Sequence, residues 1–265
     1  YEVLCMLGLF RIVGSLTLGF LQSIGRFALF LVEVLKAVFL PPLYFRALLA
    51  QFAEIGYFSL PVVGLTAIFT GAVLALQTYT GFSRFSAESS IASVVVLSIT
   101  RELGPVLAGL MLAGRVGAAI AAELGTMRVT EQIDALYTLN TDPVRYLVIP
   151  RVLAGLIMLP LLVLIADCIG VFGGDFGSAR TLGFSPYSYM RSTFEFLELG
   201  DVTSGLIKAA AFGVIVTLIG SYNGYYSRGG AEGVGKSTTN AVVSASVLIL
   251  VFNYLITGLL FGHNV

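Results

Sequence analysis

Two stretches of this chain, residues 55–76 and 237–262, contain no Asp, Glu, Lys or Arg. Each is long enough to cross a bilayer, whose hydrocarbon core takes about 20 apolar residues of helix. Similar stretches lie at 89–100 and 103–114, divided by Arg101-Glu102, at 146–174, broken only by Arg151 and Asp167, and at 209–226, preceded by Lys208. Lipid offers backbone groups no water, so such segments must be helices that satisfy their own hydrogen bonds. Five spans follow, the second being one long helix with a charged pair near its middle. Only 11% of the 265 residues are charged and 57% are hydrophobic, where a soluble domain carries about 25% charge. That composition excludes a water-soluble enzyme. Fifteen basic and fifteen acidic residues give no net charge and no basic block, which argues against a nucleic-acid partner. Cys5 and Cys168 sit far apart in apolar runs, so neither a disulfide nor a metal framework is expected. His263 is the one histidine. The pattern holds no cleavable signal peptide, and a chain opening on Tyr1 rather than methionine can lack earlier residues.

The first 45 residues differ from the rest. Arg11, Arg26, Glu33 and Lys36 interrupt the apolar sequence, and at 100° per residue they fall within roughly 80° of arc. A narrow polar stripe on an apolar helix fits one lying in the membrane interface. The alternative is a sixth, weakly hydrophobic span. Residues 1–45 are therefore read as an interfacial helix region and residues 46–265 as the spanning domain. With the N-terminus inside, the cytoplasmic side carries Arg11, Arg26, Lys36, Arg46, Arg128, Arg145, Arg151, Arg228 and Lys236, and the outside carries Arg84, Arg180 and Arg191. This bias sets residues 123–145 and 227–236 inside, and the loop at about 178–203 and the C-terminus outside.

Small residues form ridges: Ala113, Gly117, Ala121 and Gly125, and beside them Gly114, Ala118 and Ala122. Such ridges let helix backbones approach closely, either within one chain or at a seam between two copies. Residues 230–237 match the phosphate-loop pattern G-x-x-x-x-G-K-[ST] letter for letter. A true phosphate loop joins a buried strand to a helix in an α/β domain, whereas this one follows a membrane helix. It is read as a tight turn, with Ser237 or Thr238 capping the last helix.

Charges within a bilayer are costly and face a cavity or a partner. Arg101 and Glu102 are adjacent, so on a helix they point about 100° apart and each needs its own partner. Pro105 removes a backbone donor just beyond them. Two readings remain: a polar site beside a transport path, or structural ion pairs between helices. Lys208, near the outer end of its span, is expected to snorkel. Between the second and third spans, residues 121–143 mix polar and apolar positions. Thr130, Glu131 and Asp134 present a polar face, while Met127, Ile133 and Leu136 suit a groove. Such a segment is either a connecting loop or a coupling helix that takes force from a cytoplasmic motor.

Several of these stretches occur in a fixed order. They are Leu76-Gln77, Arg101-Glu102-Leu103-Gly104-Pro105, Ala113-Gly114-Arg115, Ala122 through Arg128, Thr130 through Leu136, Asp142-Pro143, and Gly233-Val234-Gly235 with Thr238-Thr239. In this order the chain resembles the MlaE-type permeases of ABC phospholipid transporters, the Mla and Mce systems, over roughly residues 45–262. The resemblance implies an all-α polytopic membrane protein: an N-terminal interfacial helix, five transmembrane helices, and a cytoplasmic coupling helix at about 123–136. It implies a homodimer in the bacterial inner membrane, a separate cytoplasmic ABC ATPase that binds the ATP, a periplasmic MCE-domain protein and, in some systems, a STAS-domain subunit. The chain itself would be no enzyme and hold no cofactor. It would move phospholipid between the inner membrane and the MCE path, maintaining outer-membrane lipid asymmetry. By position, Leu74, Gln77, Phe82, Phe85, Arg101, Glu102, Lys208 and Asn253 would line or border the lipid cavity. Glu123, Gly125, Met127, Arg128, Thr130, Glu131, Gln132 and Asp134 would couple to the ATPase. The Arg101–Pro105 wording is closer to the Gram-negative branch, and plastid lipid permeases are similar too. The competing class is an ion-coupled secondary transporter or channel, but no inverted repeat and no carboxylate–histidine chain support it.

Overall fold

The computed structural model describes residues 2–39, 44–83, 91–182 and 186–261. Among these the regular structure is entirely helical. Helix α1 is Glu2–Val38. Helix α2, Phe45–Ile55, runs through a tight turn at Tyr57–Ser59 into α3, Leu60–Phe82. The second long rod, α4, is Ile91–Val129. After a break at Thr130-Glu131 comes the short α5, Gln132–Thr138. Helix α6 is Ile149–Leu182, α7 is Pro186–Phe196, α8 is Leu199–Tyr225 and α9 is Gly230–Phe261.

Among the described residues, six segments are long and apolar enough to cross a membrane: Thr17–Val38, Phe45–Phe82, Ile91–Val129, Val144–Gly177, Leu199–Tyr225 and Gly230–Leu260. The five expected spans are all present. The sixth segment belongs to α1, so the stripe-bearing N-terminal helix also has the length to cross. Its Leu18, Leu21, Leu29 and Leu35 are exposed, which suits lipid contact. Its Phe30, Val34 and Ala37 share the opposite face and are buried. Phe30 packs its ring against Tyr222, Tyr225 and Tyr226 at the end of α8, with centroids 5.5, 6.1 and 5.9 Å away.

Helix α8 is the centre of the bundle, packed on α4, α6 and α9, while α3 lies along α6. Glycine sets these approaches. A Cβ on Gly71 of α3 would overlap the Gly170 carbonyl of α6, and one on Gly213 of α8 would overlap the Gly155 carbonyl of α6. The ridge Ala113–Gly117–Ala121–Gly125 is buried against this chain's own helices: a Cβ on Gly117 would touch Val216 of α8, and one on Gly125 would touch Val234 of α9. The ridge therefore packs within the chain. Gly114, on the neighbouring ridge, faces open space.

Three details differ from the sequence reading. Residues 123–136 are not one helix; α4 continues to Val129, Glu131 takes a left-handed conformation (φ 60°), and α5 starts anew. Residues 178–203 are not a bare loop, since they contain α7 and the first turn of α8. The phosphate-loop lookalike is helical from Gly230 onward, so neither Ser237 nor Thr238 caps α9. The turn lies just before it, at Gly229 and Gly230, both with positive φ.

Candidate functional site

The sequence Arg101-Glu102-Leu103-Gly104-Pro105 produces a local defect in α4. Proline has no N–H, so the carbonyl four residues earlier, that of Arg101, loses its helical donor. The helix widens into a π turn over Ile99–Leu103. The Lys208 ammonium donates to the Arg101 carbonyl at 2.9 Å, replacing the missing bond from a neighbouring helix. Two further π turns, Ala113–Gly117 and Val144–Val148, each carry an arginine, Arg115 and Arg145. Such turns expose backbone groups and often mark functional positions.

The adjacent charges find separate partners. Arg101 pairs with Asp201 on α8. The Asp201 carboxylate also accepts from the Glu198 N–H at 3.2 Å, so it caps α8 as well. Glu102 accepts three bonds: from Lys208 Nζ at 2.6 Å, Asn253 Nδ2 at 3.0 Å and Thr257 Oγ1 at 3.1 Å. Lys208 is fully buried and Asp201 is 2% exposed, whereas Arg101 and Glu102 are each 38% exposed. The ion pairs join α4 to α8, and α9 adds Asn253 and Thr257 one helical turn apart. Lys208 does not snorkel: its head group is held inside the bundle by Glu102 and the Arg101 carbonyl. It supports the site from behind rather than lining a cavity.

An open groove of about 440 Å³ runs along α3, lined by Phe69, Thr70, Val73, Leu74, Gln77 and Leu103. Leu74 and Gln77 therefore line it, and Leu103, next to Glu102, forms its other wall. Phe82 sits half-buried at the end of α3, five residues beyond Gln77. Phe85 and His263 lie outside the described residues.

At the other end of the bundle, the predicted coupling residues form a knuckle between α4 and α5. Glu123 bonds Arg151 of α6 at 2.8 Å, and Arg128 bonds Asp134 at 2.6 Å. Gly125 sits against Val234 and Ser227. Thr130 hydroxyl donates to the Thr126 carbonyl and accepts from Gln132 Nε2. Met127, Ile133 and Leu136 pack against this chain's own core, Ile133 completely and the other two in part. The exposed tip is instead Glu131, Gln132, Tyr137 and Leu139, with Leu139 73% exposed. The Tyr137 and Tyr225 hydroxyls meet at 2.7 Å, tying the tip to α8.

Sequence reasoning passed over Asp201, Thr257 and the tyrosine clasp, and gave Arg115 no partner. Asp201 was signalled by its place three residues after Glu198, a helix-capping spacing, and Thr257 by its place four residues after Asn253. Arg115 donates to Ser59 Oγ at 2.7 Å and the Glu54 carbonyl at 3.0 Å, and so pins the α2–α3 elbow to α4. Nothing in the sequence announces that contact.

Residues 48–259 match the family described as Permease MlaE. A probable ABC transporter permease protein of Rickettsia typhi is 60% identical over 256 residues, covering 97% of this chain and 99% of that one. The intermembrane phospholipid transport system permease protein MlaE of Haemophilus influenzae is 36% identical over 94% of this chain and 96% of its own length. The chloroplastic protein TRIGALACTOSYLDIACYLGLYCEROL 1 of Arabidopsis thaliana is 37% identical over 86% of this chain and 65% of its own. An all-helical bundle, a charged π turn whose Leu103 lines a groove, and a match across nearly all the spans agree: this polytopic chain belongs to the MlaE family of ABC transporter permeases.

Proposed function

We propose that this permease moves phospholipid across or out of the inner membrane, driven by a separate ABC ATPase on its cytoplasmic face. The carrying observation is the open groove lined by Phe69, Val73, Leu74, Gln77 and Leu103, with the partly exposed Arg101 and Glu102 on the same π turn as Leu103. A phospholipid needs apolar walls for its chains and a fixed charge for its headgroup. The groove supplies the walls, and the exposed part of the Arg101 guanidinium, which is held in place by Asp201, supplies N–H groups suited to phosphate oxygens. Lys208, Asn253 and Thr257 saturate Glu102, so its carboxylate is neutralised and does not repel an approaching phosphate.

The knuckle of Glu131, Gln132, Tyr137 and Leu139 is the surface offered to the ATPase. This role rests on exposed apolar groups held on a stapled, pre-shaped tip. The basic-residue bias supports a cytoplasmic N-terminus and knuckle and a periplasmic C-terminus. The exposed apolar face of α9, including Val243, Val247 and Tyr254, suits a homodimer, and the periplasmic end suits an MCE-domain protein that receives or delivers lipid. Maintenance of outer-membrane asymmetry is the corresponding cellular role, and a STAS-domain subunit is an optional partner. ATP is bound by the ATPase.

The test is co-reconstitution in vesicles with the ATPase and MCE protein, following a fluorescent phospholipid. ATP-dependent transfer that falls in Gln77→Leu and in Arg101→Met supports the reading. Transfer by the permease alone, without ATPase, would instead establish the secondary transporter.

A further inference from the structure

The seam between α3 and α4 is closed by different forces along its length. Toward the C-terminal end of α3, Ala75 packs with Ile91, Val95 and Ile99 of α4. Next comes the open groove of Leu74 and Gln77. Beyond it lies a cavity of only about 20 Å³, bordered by Val63, Thr66 and Thr70 of α3 and by Leu103, Leu107 and Met111 of α4. Thr70 and Leu103 line both spaces, so the cavity continues the groove. It has room for about one water molecule. Thr66 turns its hydroxyl back to the Val62 carbonyl and adds no bond across the seam.

Arg115 stands at the other end, four residues past Met111 and about 18 Å along α4 from Leu103. Its Nη1 donates to Ser59 Oγ at 2.7 Å and to the Glu54 carbonyl at 3.0 Å, and its Nη2 donates to Glu54 Oε1 at 3.1 Å. The Glu54 carbonyl belongs to the last turn of α2, where a helix leaves carbonyls without donors. Ser59 is 1% exposed. Gathering a hydroxyl, a carbonyl and a carboxylate takes the planar fork of a guanidinium. On its other face α3 is held by backbone contact with α6: a Cβ on Gly71 would overlap the Gly170 carbonyl, and one on Gly173 the Ile68 carbonyl. The voids thus lie on the α4 side.

We propose that Arg115 is a positioning residue whose guanidinium latches the α3–α4 seam, and that release of the latch lets the groove extend along the seam to take an acyl chain. The proposal rests on the reading that the groove carries phospholipid. In the latched structure the space beyond Thr70 and Leu103 is too small for a chain, so the groove ends there. Parting Val63 from Leu107 and Met111 in a bilayer exchanges one apolar contact for another, because lipid tails are as apolar as leucine. The bonds of Arg115 are therefore what resists opening, and the Ala75 cluster is the pivot.

With Cys5 and Cys168 replaced by alanine, Ala108→Cys places a thiol in the small cavity, where Ala108 is 3% exposed. Ala154→Cys places a control thiol in the core of α6, where Ala154 is fully buried. Each reconstituted chain is labelled with N-ethylmaleimide, and the rate reports how often its site opens. Ser59→Ala removes one acceptor from a charged donor, so labelling at Ala108→Cys should rise about tenfold. Arg115→Lys keeps the charge without the fork and should raise it at least as much. Labelling at Ala154→Cys should not change, which separates seam opening from a general loosening of the fold. Ser59→Ala keeps the test decisive if Arg115→Lys does not fold. In the complex with the ATPase and MCE protein, joining Thr66→Cys to Leu107→Cys with a short bifunctional methanethiosulfonate should stop ATP-dependent lipid transfer, and reduction should restore it. A parent complex that transfers no lipid fails the transport reading, while the labelling, which needs no ATPase, still decides the latch. Unchanged labelling at Ala108→Cys in Ser59→Ala, an equal rise at Ala154→Cys, or transfer that persists in the cross-linked protein overturns the proposal.

Discussion

Replacing Lys208 with methionine isolates the energetics of the intramembrane network. Methionine is close to lysine in length, so the change removes charge with little change in packing. Lys208 is fully buried and bonds both Glu102 Oε1 and the Arg101 carbonyl. Its loss leaves a carboxylate without its cation and a carbonyl without the donor that replaced the one Pro105 lacks. Removing one partner of a buried pair costs about 3–5 kcal/mol. The lower end applies, because Glu102 is about a third exposed and keeps Asn253 and Thr257. About 3 kcal/mol is therefore expected, a shift of roughly 100-fold in the folding equilibrium. In the double variant Glu102→Gln/Lys208→Met both charges are gone and the amide still meets Asn253. Most of the loss should return, giving a coupling energy of about 2 kcal/mol. The assay is reversible unfolding in mixed micelles by added dodecyl sulfate, followed by helical circular dichroism. A cost below about 0.5 kcal/mol for Lys208→Met, or additive single changes, would refute the claim that Lys208 holds Glu102 in place.

Three further outcomes follow from the same geometry. Gly71→Ala should force α3 away from the Gly170 carbonyl and destabilise the bundle by about 2 kcal/mol, within the range of overpacking, measured by the same unfolding. Charge reversal at the knuckle, Arg128→Glu or Glu131→Lys, touches groups more than a third exposed. Stability should change by under about 1 kcal/mol, while ATP-driven lipid transfer with the ATPase is lost; normal lipid-stimulated ATPase activity and transfer in either variant would sink the coupling assignment. Tyr137→Phe deletes one hydrogen bond to Tyr225, worth about 1 kcal/mol, and should lower transfer per ATP hydrolysed more than it lowers hydrolysis.

The large features were legible because they are one-dimensional. An uncharged run of 26 residues at 237–262 has one stable fate in lipid, so its helix needs no knowledge of its neighbours. The same holds for the donor missing at Pro105 and for the divergence of Arg101 and Glu102, which follow from helix geometry. Lys208 went the other way. Its sequence position near a helix end suits snorkelling, but the carbonyl freed by Pro105 and the carboxylate of Glu102 lie more than a hundred residues away in sequence and capture it inside. Ile133 and Leu136 were similarly ambiguous: apolar groups in a connecting segment suit a partner or the chain's own core, and only the path of α5 after the left-handed Glu131 turns them inward. The small-residue ridge needed the same information, since Gly117 and Gly125 record that something packs closely without recording what.

The sequence by itself therefore determined that this chain is a bundle of membrane helices, which family it belongs to, and where the bilayer-embedded charges sit. These depend on local hydropathy and residue order. Only the tertiary structure decided which charge meets which, that Lys208 and Asp201 are buried supports while Arg101 and Glu102 stay open, and that Arg115 fastens the α2–α3 elbow to α4. Those outcomes depend on the rotation of each helix about its axis. That rotation is set by glycine contacts such as Gly71 on Gly170 and Gly213 on Gly155, between residues far apart in the chain.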